Sequence, residues 1–257
     1  MRTAGIQNKG VKTDMRPGFQ RVDKKELVLK GVNDIVVLGD VGCTGLSEES
    51  KDVFKTILRN KADLFVVAGD LALTGAKDEL TAFIDICDSD SQAPVFSLCG
   101  NHDLPGYPEL CGLSTYAIVL DRVVCVLLDN SNARFKEEDL AFLKDQLEKH
   151  PGKNFIVVFH IPPPIDFKGS VMREEEWHKL RAVLEKHRER IKCLICGHIH
   201  GYYRYQLDGY SVIITGGGGA AMIYDMPKEE FRAHHAYRLS LKDNETIDIK
   251  FLPAGRK

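Results

Sequence analysis

The apolar run "PVFSLC" closes on Asn101, His102 and Asp103, in the segment "GNHD". An amide oxygen, an imidazole and a carboxylate can hold a metal ion or move a proton, and packing does not ask for them at the end of a strand. The arrangement recurs along the chain. "DIVVLGD" ends at Asp40, "DLFVVAGD" at Asp70 and "NFIVVFH" at His160, while "KCLICGHIH" carries His198 and His200. A single aspartate after a strand is ordinary turn chemistry, and a single histidine is more often structural than a ligand. Their repetition, with glycines at 39, 69, 100 and 197 that let backbone approach a ligand, points instead to one shared site. Imidazole with carboxylate suits first-row metals such as Mn, Fe, Zn or Co. His198 and His200 are two apart, so in an extended segment they share a side and can serve neighbouring ions.

Each of these runs is short, rich in Val, Ile, Leu and Phe, and bounded by polar or turn residues, which predicts buried strands. Between them lie helical spacings of three and four. Val53, Phe54, Ile57 and Leu58 share one face, as do Leu80, Phe83, Ile84 and Cys87. Leu140, Leu143 and Leu147 form a third stripe, and Trp177, Leu180 and Leu184 a fourth. "YAIVLDRVVCVLLD" predicts two strands around Asp121-Arg122, and the tail predicts a hairpin around Asp243-Asn244. The pattern is an α/β fold with mixed β-sheet, and two sheets flanked by helices accommodate the strands. In open α/β sheets, ligands bind beyond the carboxyl ends of the strands, which is where the polar residues lie.

Composition narrows the function. The chain has 257 residues, is 44% hydrophobic and carries a formal net charge of -2. It can bury a core, and it has no basic run that would announce nucleic acid or an anionic membrane. No apolar stretch is long enough to span a bilayer. The polar N-terminus lacks the apolar segment of a signal peptide, so the expected location is the cytoplasm. Residues 1–30 read as an N-terminal extension and 31–257 as a single domain. The cysteine count of 7 is odd and argues against a disulfide framework. Cys193 and Cys196 spell C-x-x-C, but on a strand residues three apart face opposite ways, so both read as core thiols.

Taken together, "GD" at 39–40, "GDLA" at 69–72, "GNHD" at 100–103, "VVFH" at 157–160 and "GHIH" at 197–200 resemble the five motifs of the calcineurin-like metallophosphoesterases. The resemblance implies a four-layer α/β/β/α sandwich with two mixed sheets and a dinuclear centre of Mn, Fe or Zn. It implies that Asp70 bridges two ions. Asn101, His160 and His198 would complete one, and Asp40 and His200 would bind the other. Asn101 and His102 would face the substrate, with His102 as general acid and Asp103 orienting it. The implied activity is hydrolysis of phosphomonoesters or small phosphodiesters by attack of a metal-bound hydroxide. Alternatives are a non-catalytic metal-binding scaffold, or a nuclease, which would want a basic groove. The implied partner is a small phosphate ester; no protein partner is inferable, and neither nucleic acid nor a membrane is expected.

The chain departs from the family pattern in its first motif. Many members carry D-x-H there; this chain has Asp40-Val41-Gly42. Purple acid phosphatases also have D-x-G, with a tyrosine in G-D-x-x-Y, but that position here is Leu73. The protein is therefore expected not to be purple, and its first site to be weaker. Waters filling the vacancy is the preferred reading, with a Cys43 thiolate or a partly empty site as the others. "HIPPPIDFKGSVMREEEW" reads as a loop over the site, with Lys168 and Arg173 as solvated charges. Gly216 to Gly219 form a turn without the spacing of a phosphate-binding loop. Tyr202, Tyr203 and Tyr205 read as packing residues, and one of His234 and His235 as surface.

Overall fold

The computed structural model describes residues 15–167, 170–222, 226–243 and 246–255. Two short strands come first, β1 (Gly18–Phe19) and β2 (Glu26–Val28). Strands and helices then alternate through β3 (Asp34–Leu38), α1 (Glu48–Leu58), β4 (Leu64–Val67), α2 (Lys77–Asp90) and β5 (Pro94–Ser97). The short α3 (Tyr107–Leu110) leads to the hairpin β6 (Tyr116–Val119) and β7 (Val123–Leu127). Next come α4 (Glu137–Lys149), β8 (Asn154–Phe159), α5 (Glu174–Leu184) and β9 (Ile191–Cys196). Two antiparallel pairs end the chain, β10 (Tyr202–Leu207) with β11 (Tyr210–Thr215), and β12 (His235–Leu241) with β13 (Ile247–Pro253).

These strands form a six-stranded sheet, ordered β1-β5-β4-β3-β12-β13, and a seven-stranded sheet, ordered β10-β11-β9-β8-β7-β6-β2. Both are mixed: β3, β4 and β5 run parallel while β12 is antiparallel to β3, and β8 is parallel to β7 and β9 while β6 is antiparallel to β7. Alternation along the strands divides the core. Ile35 and Val37 of β3, with Ile156 and Val158 of β8, pack between the sheets. Val36 and Leu38 face α1 and α2, meeting Phe54, Ile57 and Phe83. Phe155, Val157 and Phe159 face α4 and α5, meeting Leu143, Trp177 and Leu180. The strands are buried on both faces, which is why they read as continuous apolar runs. Each such large side chain contributes roughly 1.5–3 kcal/mol by leaving water. The expected four-layer α/β/β/α sandwich is the observed one.

The N-terminal boundary needs correction. Residues 18–28 are built into the sandwich: β1 pairs with β5, and β2 pairs with β6. Phe19 is buried against Phe83, ring centroids 5.8 Å apart. Strands of two and three residues are too short to show a period. The predicted hairpin at Asp121-Arg122 forms, while Asn244 lies outside the described residues.

Candidate metal centre

The polar strand ends converge from both sheets. Asp40, Asp70 and Asn101 follow β3, β4 and β5 of the six-stranded sheet, while His160, His198 and His200 follow β8 and β9 of the seven-stranded one. Side-chain donors gather in two buried groups, Asp40 with Cys43 and His200, and Asp70 with His160 and His198. The turns that carry them are unusual. Asp40, Asp70 and His198 have φ of 60°, 59° and 71°, the left-handed region that non-glycine residues seldom enter. At Gly100 a Cβ would lie 2.1 Å from Asp70 Oδ1, so only glycine lets this backbone close on the carboxylate.

In the second group, His160 Nδ1 donates to the Ala68 carbonyl at 2.8 Å. That fixes the tautomer and turns Nε2 toward Asp70 Oδ1 at 3.2 Å and Asn101 Oδ1 at 2.9 Å. A ring lone pair facing two oxygens requires a cation, either a proton or a metal. The charges agree. Burial alone would lower the His160 imidazolium, but Asp70 beside it raises it to about 9. Burial would likewise raise Asp70, yet His160 outweighs this and holds its carboxyl below the ordinary range. His198, whose Nδ1 lies 3.3 Å from His160 Nε2, is driven down to about 3 by burial and then by His160.

The first group repeats the device. His200 Nδ1 donates to the Ala221 carbonyl at 2.6 Å, and Nε2 points at Cys43 Sγ at 3.2 Å and Asp40 Oδ1 at 3.7 Å. The Asp40 carboxylate accepts the His198 backbone N–H at 2.8 and 2.9 Å, which joins the two sheets. Burial pushes Asp40 well above the usual carboxylate range, and burial then the Asp40 charge push the Cys43 thiol far up. Carboxylates and imidazoles enclosed this way fit a pair of divalent ions, whose charge would compensate both.

His102 stands half-buried beside the exposed Asn101. Its Nδ1 donates to the Leu73 carbonyl at 2.8 Å, which fixes the tautomer and turns Nε2 away from that carbonyl. Here the expectation for Asp103 is corrected. Its carboxylate takes the backbone N–H groups of Asp70, Leu71, Ala72 and Gly100, at 2.9, 2.7, 3.0 and 2.7 Å. It is fully buried and ties two loops together; the Leu73 carbonyl, not Asp103, sets the His102 tautomer.

Asn130, which sequence reasoning passed over, has a comparable role. Its Oδ1 accepts the N–H of His160 at 2.9 Å and of Ile161 at 3.0 Å, and its Nδ2 donates to the Ile161 carbonyl. The signal was present, since "LLDN" is another apolar run with a polar end. Other expectations hold. Cys193 and Cys196 are free and buried. Gly218 N–H bonds the Gly39 carbonyl, so the glycine run backs the Asp40 turn. Tyr203 packs on Phe167 and Tyr205, and Tyr202 on Phe251. The reading of one of His234 and His235 as surface is not met: His235 is buried and His234 half-buried. Arg173 is an exposed residue at the head of α5, whereas Lys168 lies outside the described residues. Among the described residues no helix is long and apolar enough to cross a membrane.

Residues 34–202 match the family of calcineurin-like phosphoesterases. The chain is similar to the 3',5'-cyclic adenosine monophosphate phosphodiesterase of Haemophilus influenzae, 22% identical over 214 residues that span 76% of this chain and 77% of that protein. Its fold is similar to purple acid phosphatase PPD1 from yellow lupin seeds, with a TM-score of 0.69 at 17% identity. That likeness covers 88% of this chain and 52% of the lupin chain, so the sequence spans about half of the lupin protein. A dimetal phosphatase from Danio rerio gives a TM-score of 0.63 at 14% identity, covering 87% of this chain and 96% of that one.

Proposed function

The chain belongs to the calcineurin-like phosphoesterase family, and on that footing we propose that it is a metal-dependent hydrolase of phosphomonoesters or small phosphodiesters. The observation that carries this reading is the pair of adjoining buried donor groups with Asn101 and His102 at their mouth. Asp70, Asn101, His160 and His198 would hold one ion, with Asp40, Asp70 and His200 holding the other. Two bound ions would supply Lewis acidity and neutralise phosphoryl oxygens as charge redistributes.

The chain's own residues do the rest. Ala68 and Ala221 carbonyls hold His160 and His200 with Nε2 inward, so both rings already present that nitrogen to their donor groups. The Leu73 carbonyl holds the Nδ1–H of His102, and Nε2 gives a proton to the leaving oxygen. Asn101 and His102 bind and orient the phosphate ester at the exposed edge of the site. Cyclic nucleotides are the first diesters to assay, since the Haemophilus influenzae relative is named for that activity.

The test is elemental analysis of purified protein beside hydrolysis of para-nitrophenyl phosphate and bis-para-nitrophenyl phosphate, with and without added manganese. Two metal ions per chain with turnover support the proposal, and the preferred substrate separates monoesterase from diesterase. Bound metal with no turnover on any of these esters or on cyclic nucleotides would leave a metal-holding scaffold.

A further inference from the structure

The vacancy in the first motif has a structural cause. A Cβ at Gly42 would stand 2.1 Å from the Leu71 carbonyl oxygen and 2.7 Å from its carbon. A side chain there would force the turn after β3 away from Leu71, so the histidine of D-x-H does not fit this backbone. Leu73, at the tyrosine position, is apolar and 41% exposed. The turn after β3 nevertheless presents one more donor. Cys43 is 4% exposed, and its Sγ lies 3.2 Å from His200 Nε2 within the group that includes Asp40. Two of that group, Asp40 and His200, are the residues the two-metal reading already places at the first site.

Resting on that reading, we propose that Cys43 is a thiolate ligand of the first metal, making this an Asp40–Cys43–His200 site that takes zinc or ferrous iron in preference to manganese or magnesium. The His200 tautomer supports it. With Nδ1–H given to Ala221, the Nε2 lone pair and the sulfur address the same point, and a divalent ion satisfies both. Loading the site converts thiol to thiolate and releases one proton to solvent. A sulfur donor also changes metal preference, because thiolate favours softer ions and manganese favours oxygen. The sulfur takes the position otherwise filled by water.

X-ray absorption at the zinc edge, on protein loaded with two zinc ions, tests this directly. A Zn–S shell at about 2.3 Å, amounting to one sulfur for two zinc ions, is expected, beside N/O donors at about 2.0–2.1 Å. Cys43→Ser should remove the sulfur shell and keep the N/O shell. Two zinc ions per chain with only N/O neighbours would overturn the inference while leaving the proposed function intact. A sulfur shell that survives in a folded Cys43→Ser protein would also overturn it. Failure to retain any zinc, iron or manganese would overturn the two-metal reading and this inference with it. The wild-type spectrum decides even if the variant does not fold.

Discussion

The Asp103 carboxylate accepts the backbone N–H of Asp70 at 2.9 Å, and it does so from the loop that presents Asn101 and His102. Two strand ends that share no sequence proximity are thereby fixed to one buried carboxyl group. Asp103 therefore acts on geometry, and its loss should be felt as stability and metal content before chemistry.

Asp103→Ala would leave four buried N–H groups without their acceptor. A cost of about 3 to 5 kcal/mol is expected. Denaturant unfolding of metal-free protein measures it. A loss below about 1 kcal/mol would show that the loops hold without the carboxylate.

His102→Ala should leave metal content and stability near wild type, since its ring makes one bond, to Leu73. Turnover of an alkyl phosphate should fall by about 10² to 10⁴, the usual worth of a general acid. Para-nitrophenyl esters, whose leaving group needs no proton, should lose far less. Equal losses on both esters would remove His102 from the proton-transfer role.

Reverting the first motif should fail. Gly42→His restores the letters of D-x-H but drives a Cβ into the Leu71 carbonyl, 2.1 Å away. Such overpacking costs about 1 to 3 kcal/mol. The variant should melt earlier and bind no more metal than the parent, as thermal melts and elemental analysis would reveal.

His235 sets a pH limit on the fold apart from the metal centre. Its ring stacks on Phe251 at 5.1 Å, its Nδ1 donates to Ala233, and its buried Nε2 has no hydrogen-bond partner among the described residues. Burial, with His234 adding, lowers it from 6.5 to about 4. Between those values the unfolded chain holds the proton and the folded one does not. Stability should therefore be full above about pH 6.5 and fall as the pH drops toward 4, by about 3 kcal/mol in all. His235→Phe should flatten that part of the acid-unfolding profile; an unchanged profile would mean the ring takes its proton while folded.

Much of this was legible in the sequence because the information is local. Apolar runs buried on both faces announce strands, and a polar residue just past each run announces a strand end, so Asp40, Asp70, Asn101, His160, His198 and His200 could be picked out residue by residue. What stayed hidden is long-range. Asp103 bonds backbone some thirty residues away, β1 and β2 are recognised only through their partners β5 and β6, and Asn130 works on the neighbouring strand's backbone. The meeting of Cys43 with His200, 157 residues away, is likewise something no periodicity encodes.

The candidate donors are divided by sheet: Asp40, Cys43, Asp70 and Asn101 descend from the six-stranded sheet and the imidazoles of His160, His198 and His200 from the seven-stranded one. An ion held between them acts as a rivet through the seam of the sandwich. With such an ion bound, sliding of one sheet past the other would stretch metal–ligand bonds at the end of the apolar seam that holds Val37 and Val158. On the proposed two-metal reading, the stiffness of this protein would in part be a property of what it binds, and a chelator would loosen its frame as well as stop its chemistry.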